Sequence, residues 1–325
     1  MTMMVQNETP PSLARFQKSR VTYLTQQPPR STLACNYRRT GLGDDFYAGG
    51  FARSYARGFL GGVGLSTAGV DRFMWGLGVV KTAIVTGATS GIGCAAAIAL
   101  SRAGWSVMVT GRDEARARAV VESLEGGGDF LAVDLDQPGS PERLVDRSVE
   151  RWGRLDLLVN NAGIYSRGTV ADIAEGDYDS LMNTNLRAAV LLAGAAVRAM
   201  RAGEGGVIVN VSSEAGIVAV PGQVVYNLSK AGLIMLTKCI AVDHAKDGIR
   251  AVTVCPGTTR TPLVEEAIAG APDPAEHERV LASSRPANRL GRPEEIASAI
   301  VYAASEEASF LSGSEIVVDG GYTAA

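Results

Sequence analysis

Tyr226 and Lys230 stand four residues apart in the run Tyr226-Asn227-Leu228-Ser229-Lys230, thirteen residues after Ser213. On a helix this spacing puts both side chains on one face, roughly 5–6 Å apart at Cβ. A cation beside a phenol favours the phenolate and lowers the Tyr pKa from about 10 towards working pH, as a general acid/base needs. Ser213 follows the apolar run 207–211, so a strand end presents its hydroxyl near the Tyr. Such a trio can hold and protonate one carbonyl oxygen. The bare pair is also an ordinary helix-surface arrangement: with nine Tyr and five Lys in 325 residues, chance gives roughly 0.14 such pairs. The surrounding elements must decide.

Those elements alternate. Short apolar, β-branched runs at 79–86, 107–110, 130–133, 155–159, 207–211, 252–254 and 316–318 read as buried strands of the kind parallel sheets favour. Between them, 3.6-residue patterns predict helices at 94–102, 114–124, 141–152, 178–200, 224–245 and 293–304. Strict alternation over seven strands predicts an α/β fold, a doubly wound, seven-stranded parallel sheet (Rossmann-like) in three αβα layers.

The first strand runs into Gly87-Ala88-Thr89-Ser90-Gly91-Ile92-Gly93 and then a small-residue helix. Gly-x-x-x-Gly-x-Gly permits a tight turn and close backbone approach, so a pyrophosphate can meet the helix N-terminus with its unpaired N–H groups and positive dipole end. Asp134, directly after the third strand and followed by Leu135, is placed to accept from an adenine amino group. At the end of the second strand, where an acid would bind a ribose 2′-hydroxyl, stand Thr110-Gly111-Arg112. Arg112 can pair with a 2′-phosphate, so NADP(H) is preferred over NAD(H), although Asp113 follows and Ser90 adds no second cation.

Composition narrows the partners. A net charge of −3 argues against nucleic acid. Only two His are present, neither with further ligands at metal spacing, so no metal site is expected. The apolar runs are too short to cross a bilayer, and no membrane partner is expected. Cys35, Cys94, Cys239 and Cys255 lack paired spacing, and the last three lie in apolar segments. They read as small buried hydrophobes in a reducing, cytoplasmic compartment. Charge also divides the chain: residues 1–73 carry nine Lys/Arg against four Asp/Glu, and residues 74–325 carry 22 against 30. The first segment, rich in Pro pairs and Gly and without periodicity, reads as a disordered extension. Its origin is either a start assigned upstream of Met74 or an organellar transit segment. Residues 74–325 read as a single dinucleotide-binding and catalytic domain.

In this context residues 79–323 resemble the short-chain dehydrogenase/reductase family in its single-domain branch. The likeness rests on Thr86-Gly87, Gly91-Ile92-Gly93, Asn160-Asn161-Ala162-Gly163, Asn185, Ser213, Tyr226 with Lys230, Pro256-Gly257, Thr261 and Asp319-Gly320-Gly321, in that order. The resemblance implies Tyr226 as acid/base, with Lys230 binding the nicotinamide ribose and lowering the Tyr pKa. Ser213, rather than Ser212, orients the substrate oxygen, and Asn185 holds a water joining Lys230 to solvent. Gly87, Thr89, Ser90, Gly91, Ile92 and Gly93 form the phosphate turn, and Asn161, Ala162 and Gly163 line the adenosine ribose side. The turn with Pro256, Gly257, Thr259 and Thr261 meets the carboxamide.

The implied reaction interconverts a small-molecule secondary alcohol and a ketone by hydride transfer. Residues 262–288 form the natural lid. Leu263, Val264, Ile268, Val280 and Leu281 are expected over the substrate, with Ile164, Tyr165, Glu214, Ile217, Val218 and Val220 in the same mostly aliphatic cleft. A 3-oxoacyl-carrier-protein reductase is the alternative. Its carriers dock on Arg at the positions of Glu204 and Asp247 here, which lowers that reading, with Arg201 and Lys246 alongside. A dinucleotide-sensing regulator without chemistry is disfavoured, because every catalytic group is present. Apolar residues on more than one face of the two long helices, among them Leu191 and Leu236, predict a homotetramer or homodimer.

Overall fold

The computed structural model describes residues 80–325. Val79, Met74, Cys35 and the basic segment 1–73, with both readings of its origin, lie outside the described residues. The seven apolar runs become β1 (Thr82–Val85), β2 (Ser106–Gly111), β3 (Gly128–Ala132), β4 (Leu157–Asn160), β5 (Gly206–Val211), β6 (Ile249–Pro256) and β7 (Ser314–Val318). Every neighbouring pair is parallel, in the order β3-β2-β1-β4-β5-β6-β7. The order reverses between β1 and β4, and a crevice opens there at the carboxyl ends of the strands.

The helices are α1 (Gly91–Arg102), α2 (Glu114–Glu122), α3 (Ser140–Trp152), α4 (Glu175–Met182), α5 (Ala188–Arg201), α6 (Val224–Asp243), α7 (Pro262–Ala269), α8 (Pro274–Ser283) and α9 (Pro293–Ala304). Strand alternation assigns them to layers. Ala83, Val85, Leu157, Val159, Val207 and Val209 face one apolar layer with α1, α2 and α9. The intervening Ile84, Leu158 and Ile208 face the other, with α3, α5 and α6. The period of two along buried strands thus feeds both cores at once.

Helix α6 carries the Tyr-Lys pair and is pinned from below. Asn160 Nδ2 donates to Asn210 Oδ1 at 2.9 Å, and Asn210 Nδ2 donates to Thr237 Oγ1 at 2.8 Å. Thr253 Oγ1 joins Thr237 Oγ1 at 2.8 Å, so β4, β5, β6 and α6 share one buried polar ladder. Each group is satisfied, which fixes one register for the helix.

Three expectations change. The helix read at 178–200 is interrupted by a π turn at Asn183–Arg187, which divides α4 from α5. Its apolar spacing is nearly continuous across the insertion, so periodicity does not reveal it. Cys255 is buried and Cys94 half-buried, but Cys239 is exposed on the outward side of α6. Finally, α6 is long and apolar enough to cross a bilayer by length and composition. Its buried residues Val225, Ser229, Lys230, Leu233, Ile234, Thr237 and Ile240 fall on one face, as in a helix packed on a sheet.

Candidate active site

The phosphate turn is shaped by close approaches that only glycine permits. Gly87 and Gly91 have φ of +61° and +53°. A Cβ on Gly93 would lie 2.3 Å from the Gly87 carbonyl O and 2.5 Å from Asn161 Nδ2. Beneath the turn, Asn161 Nδ2 donates to the Thr86 carbonyl at 2.9 Å, while Thr86 Oγ1 accepts from the amides of Asn161 and Ala162, both at 2.9 Å. Thr86 is therefore a brace whose side chain sequence reading passed over. Above the turn, Ser90 makes no side-chain cap and the first turn of α1 holds no acid. Those amides and the dipole end fit a dinucleotide pyrophosphate.

At the far side of the turn, Asp113 caps α2 by accepting from Arg116 N at 3.0 Å, and its carboxylate also lies 3.3 Å from Arg116 Nε. The acid beside Arg112 is thus occupied by its own helix, and Arg112 forms no ion pair among the described residues. Gly111 packs against Thr89, whose Cγ2 would lie 2.7 Å from a Cβ there. Asp134 Oδ1 accepts from Asp136 N at 3.1 Å in a turn at the cleft edge, with Leu135 beside it. At the other wall Thr259 Oγ1 donates to the Gly257 carbonyl, and Thr261 packs on Gly91. Gly87, Thr89, Ser90, Gly91, Ile92, Arg112, Asp134, Leu135, Asn161, Ala162, Gly163, Pro256, Gly257, Thr259 and Thr261 all line one cleft of about 600 Å³. Gly93 lies just behind it.

Ser213, Tyr226 and Lys230 enter the same cleft from the end of β5 and from α6. Ser213 Oγ accepts from Ala215 N at 3.2 Å and lies close enough to Tyr226 to pull its pKa down. Ser212 Oγ instead donates to the Lys230 carbonyl at 2.7 Å, so it anchors α6. Lys230 Nζ donates to the Val211 carbonyl at 3.0 Å and lies 5.6 Å from the Tyr226 ring centroid. Asn185, brought in by the π turn, is fully buried. Its Oδ1 accepts from Ile164 N at 2.7 Å, and its Nδ2 donates to the Ile164 carbonyl at 2.9 Å.

The ionisation of this group differs from the expectation that Lys230 lowers the phenol. Burial pushes Tyr226 up to about 12, with the Ser213 hydrogen bond pulling the other way and Tyr165 and Glu214 adding to the rise. Burial also brings Lys230 down to about 8. In the protein alone, desolvation is the largest cause for both groups, because both leave water together. A neutral phenol at neutral pH is a proton donor.

The substrate end is more polar than expected. Leu263, Val264, Leu281, Ile164, Tyr165 and Val220 line it, but Ile268 is buried under α7, and Val280 and Ile217 point to solvent. Val218 is also outside the lining. Arg167, Gln223, His277 and Arg285 complete the wall. Tyr165 meets Tyr226 edge-on, with centroids 5.2 Å apart, and Arg167 Nε donates to its hydroxyl at 3.2 Å. No spacing signal marks Arg285, whose partner lies 71 residues away in sequence.

A family model described as "Enoyl-(Acyl carrier protein) reductase" matches residues 87–323. A Thermotoga maritima protein described as an "Uncharacterized oxidoreductase" is 42% identical over 245 residues, spanning 75% of this chain and 98% of its own length. A 3beta-hydroxysteroid dehydrogenase of Mediterraneibacter gnavus is 37% identical over 262 residues, spanning 75% and 95%. A crystal structure of a Sinorhizobium meliloti 1021 protein assigned to the short-chain alcohol dehydrogenases has a TM-score of 0.71 at 32% identity, covering 75% of this chain and 97% of that one. Likeness of this extent, with the family model spanning β2 to β7, places the chain in the short-chain dehydrogenase/reductase family of oxidoreductases, which use nicotinamide dinucleotides.

Proposed function

We propose that this chain interconverts a secondary alcohol and a ketone, with NADP(H) preferred over NAD(H). The observation that carries the reading is the convergence of Ser213, Tyr226, Lys230 and Asn185 on the cleft that begins at the glycine turn. When bound, the dinucleotide supplies or accepts the hydride at the carbonyl carbon. In the reducing direction Tyr226, neutral at working pH, gives its proton to the carbonyl oxygen while Ser213 holds that oxygen. Lys230 binds the nicotinamide ribose, and its charge stabilises the phenolate left behind. Asn185 fixes the loop at Ile164 and holds a water on the proton path to Lys230. Arg112, left free by the Asp113 cap, takes the 2′-phosphate.

Residues 74–325 act as one domain, with 262–288 as its cover. Leu263, Val264 and Leu281 favour an apolar ketone body, and the 3beta-hydroxysteroid dehydrogenase relative supports a bulky secondary alcohol. Exposed apolar side chains on α5 and α6, including Leu191, Met235 and Val242, favour a homotetramer or homodimer, which light scattering checks. We place the protein in the cytoplasm. The test of the reaction is a panel of ketones and secondary alcohols with each dinucleotide, followed by absorbance of the reduced form. Turnover of several ketones with NADPH is expected, and none with either dinucleotide would refute the reading.

A carrier-protein thioester remains the second reading, favoured by the description of the matching family model. Against it, Glu204 pairs with Arg154 and Asp247 with Arg201, both at 3.4 Å, so the surface offers little free positive charge to an acidic carrier. Competition between acyl-carrier thioesters and free ketones in one assay separates the two.

A further inference from the structure

Two buried charges at the substrate end play no part in the proton transfer described above. Glu214 directly follows Ser213, and Arg285 lies two residues beyond α8. Arg285 Nη2 donates to Glu214 Oε1 at 3.0 Å and to Thr258 Oγ1 at 2.8 Å, while Nη1 donates to the Leu281 carbonyl. The guanidinium also covers the Tyr322 ring, 5.4 Å from its centroid. One side chain therefore joins the Ser213 turn, the turn after β6, the cover helix α8 and the C-terminal segment. The side chains of Arg285 and Glu214 are 3% and 10% exposed, whereas Arg147 and Arg154, in their pairs with Asp129 and Asp156, are 46% and 26% exposed.

This pair is expensive to bury. Glu214 Oε2 and Arg285 Nε have no partner, and a Cβ on Gly257 would come within 2.8 Å of Oε2. Burial raises Glu214 from its usual 4.5 to about 7, against the pull of Arg285 and with a push from Asp319. A carboxyl whose folded pKa is raised loses stability on ionising, so the fold does not depend on the charged pair.

We propose that Arg285 and Glu214 are positioning residues, whose hydrogen-bonded contact fastens the base of the cover helix α8 to the turn carrying Ser213 and so sets the gap in which the substrate oxygen meets Tyr226. The proposal deepens the reading of the site given above. Three titratable or charged groups face Glu214: Arg285 from the end of α8, Asp319 after β7 and Tyr226 on α6. Tyr226 is neutral at neutral pH. Asp319 is held ionised by Gly321 N, Thr323 N and Thr323 Oγ1 at 2.7–2.8 Å. Glu214 alone changes between about pH 6 and 8, and because the closed fastening holds its proton more tightly than solvent does, the fastening loosens as pH rises through about 7.

Amide hydrogen exchange on the full chain tests this without a substrate. In the wild type, protection factors for residues 262–285 should fall about tenfold from about pH 6 to about pH 8, with α1 unchanged. Glu214→Gln, which keeps the acceptor without the charge, should show the stronger protection at both values with no step, and Arg285→Lys, which keeps charge but not the fork, should show weaker protection at both. The double variant Glu214→Gln with Arg285→Met should melt near the wild type. On a ketone accepted by the panel, Arg285→Lys should raise KM about tenfold with a smaller change in kcat, and Glu214→Gln should remove the fall of kcat/KM that Glu214 ionisation causes above about pH 7. A wild type without the exchange step, or a Glu214→Gln protein identical to it, overturns the proposal. So does loss of protection spread through β4, β5 and β6, the mark of a merely structural pair. Failure of every ketone would refute the reaction and leave the exchange result to decide the positioning role.

Discussion

At the dinucleotide end of the cleft the polar groups are backbone amides exposed by Gly87, Gly91 and Gly93, whereas at the substrate end they are side chains drawn from segments as much as 71 residues apart. The first end stays in register through local turn geometry and a strand below it. Thr86 and Asn161 brace it with bonds between neighbouring strands. The second end depends on a guanidinium reaching four segments and on a carboxyl that ionises near neutrality. Rigid backbone suits a ligand of constant shape, and adjustable side-chain contacts suit the end where relatives differ in substrate.

The comparison breaks most sharply where the two ends meet. Tyr226→Phe removes the proposed proton donor and should cost about two to four orders of magnitude in kcat, with circular dichroism and Tm little changed. Near wild-type turnover would remove Tyr226 from the chemistry. Gly93→Ala strikes the rigid end: its Cβ must push the Gly87 carbonyl away, so dinucleotide affinity by fluorescence titration should fall at least about tenfold. Unchanged affinity would show that the turn yields. Arg112→Asp should shift the NADP to NAD ratio of kcat/KM by about tenfold or more towards NAD, and an unchanged ratio would leave the 2′-phosphate to other groups.

Smaller effects sharpen the contrast. Because Glu214 titrates near 7 folded and 4.5 unfolded, the folded state binds its proton more tightly between these values. Its contribution to stability is therefore full below about pH 4.5 and lost as pH rises through about 7, by at most about 3 kcal/mol. Denaturant unfolding of Glu214→Gln should lack that part of the slope, and identical slopes would count against the raised value. Asp134→Asn should weaken dinucleotide binding by only about two- to tenfold, as expected for one hydrogen bond at an exposed edge.

Much of the first end was legible from residue order. A glycine spacing placed after a β-branched run and before a small-residue helix already implies the turn, and the Tyr226–Lys230 spacing holds on α6. The other end was not legible, because Glu214 reads as any residue after Ser213 and Arg285 as a surface cation in a polar stretch. The aliphatic pocket failed for a related reason. Ile268, Val280, Ile217 and Val218 were counted by type, but their directions depend on how α7, α8 and the turn after β5 pack. Asn185 was placed by resemblance, while the π turn that turns it inward left no mark in the apolar period.

Residue order by itself determined the alternating strands and helices, the phosphate turn and the Tyr-Lys face, since these follow from backbone conformation and spacings within a few residues. Tertiary structure alone decided the ionisation of Tyr226 and Lys230, the anchoring of α6 by Ser212, and the pairing of Glu214 with Arg285. The physical reason is that desolvation and charge pairing depend on what surrounds a group, and those surroundings exist only after distant segments have packed.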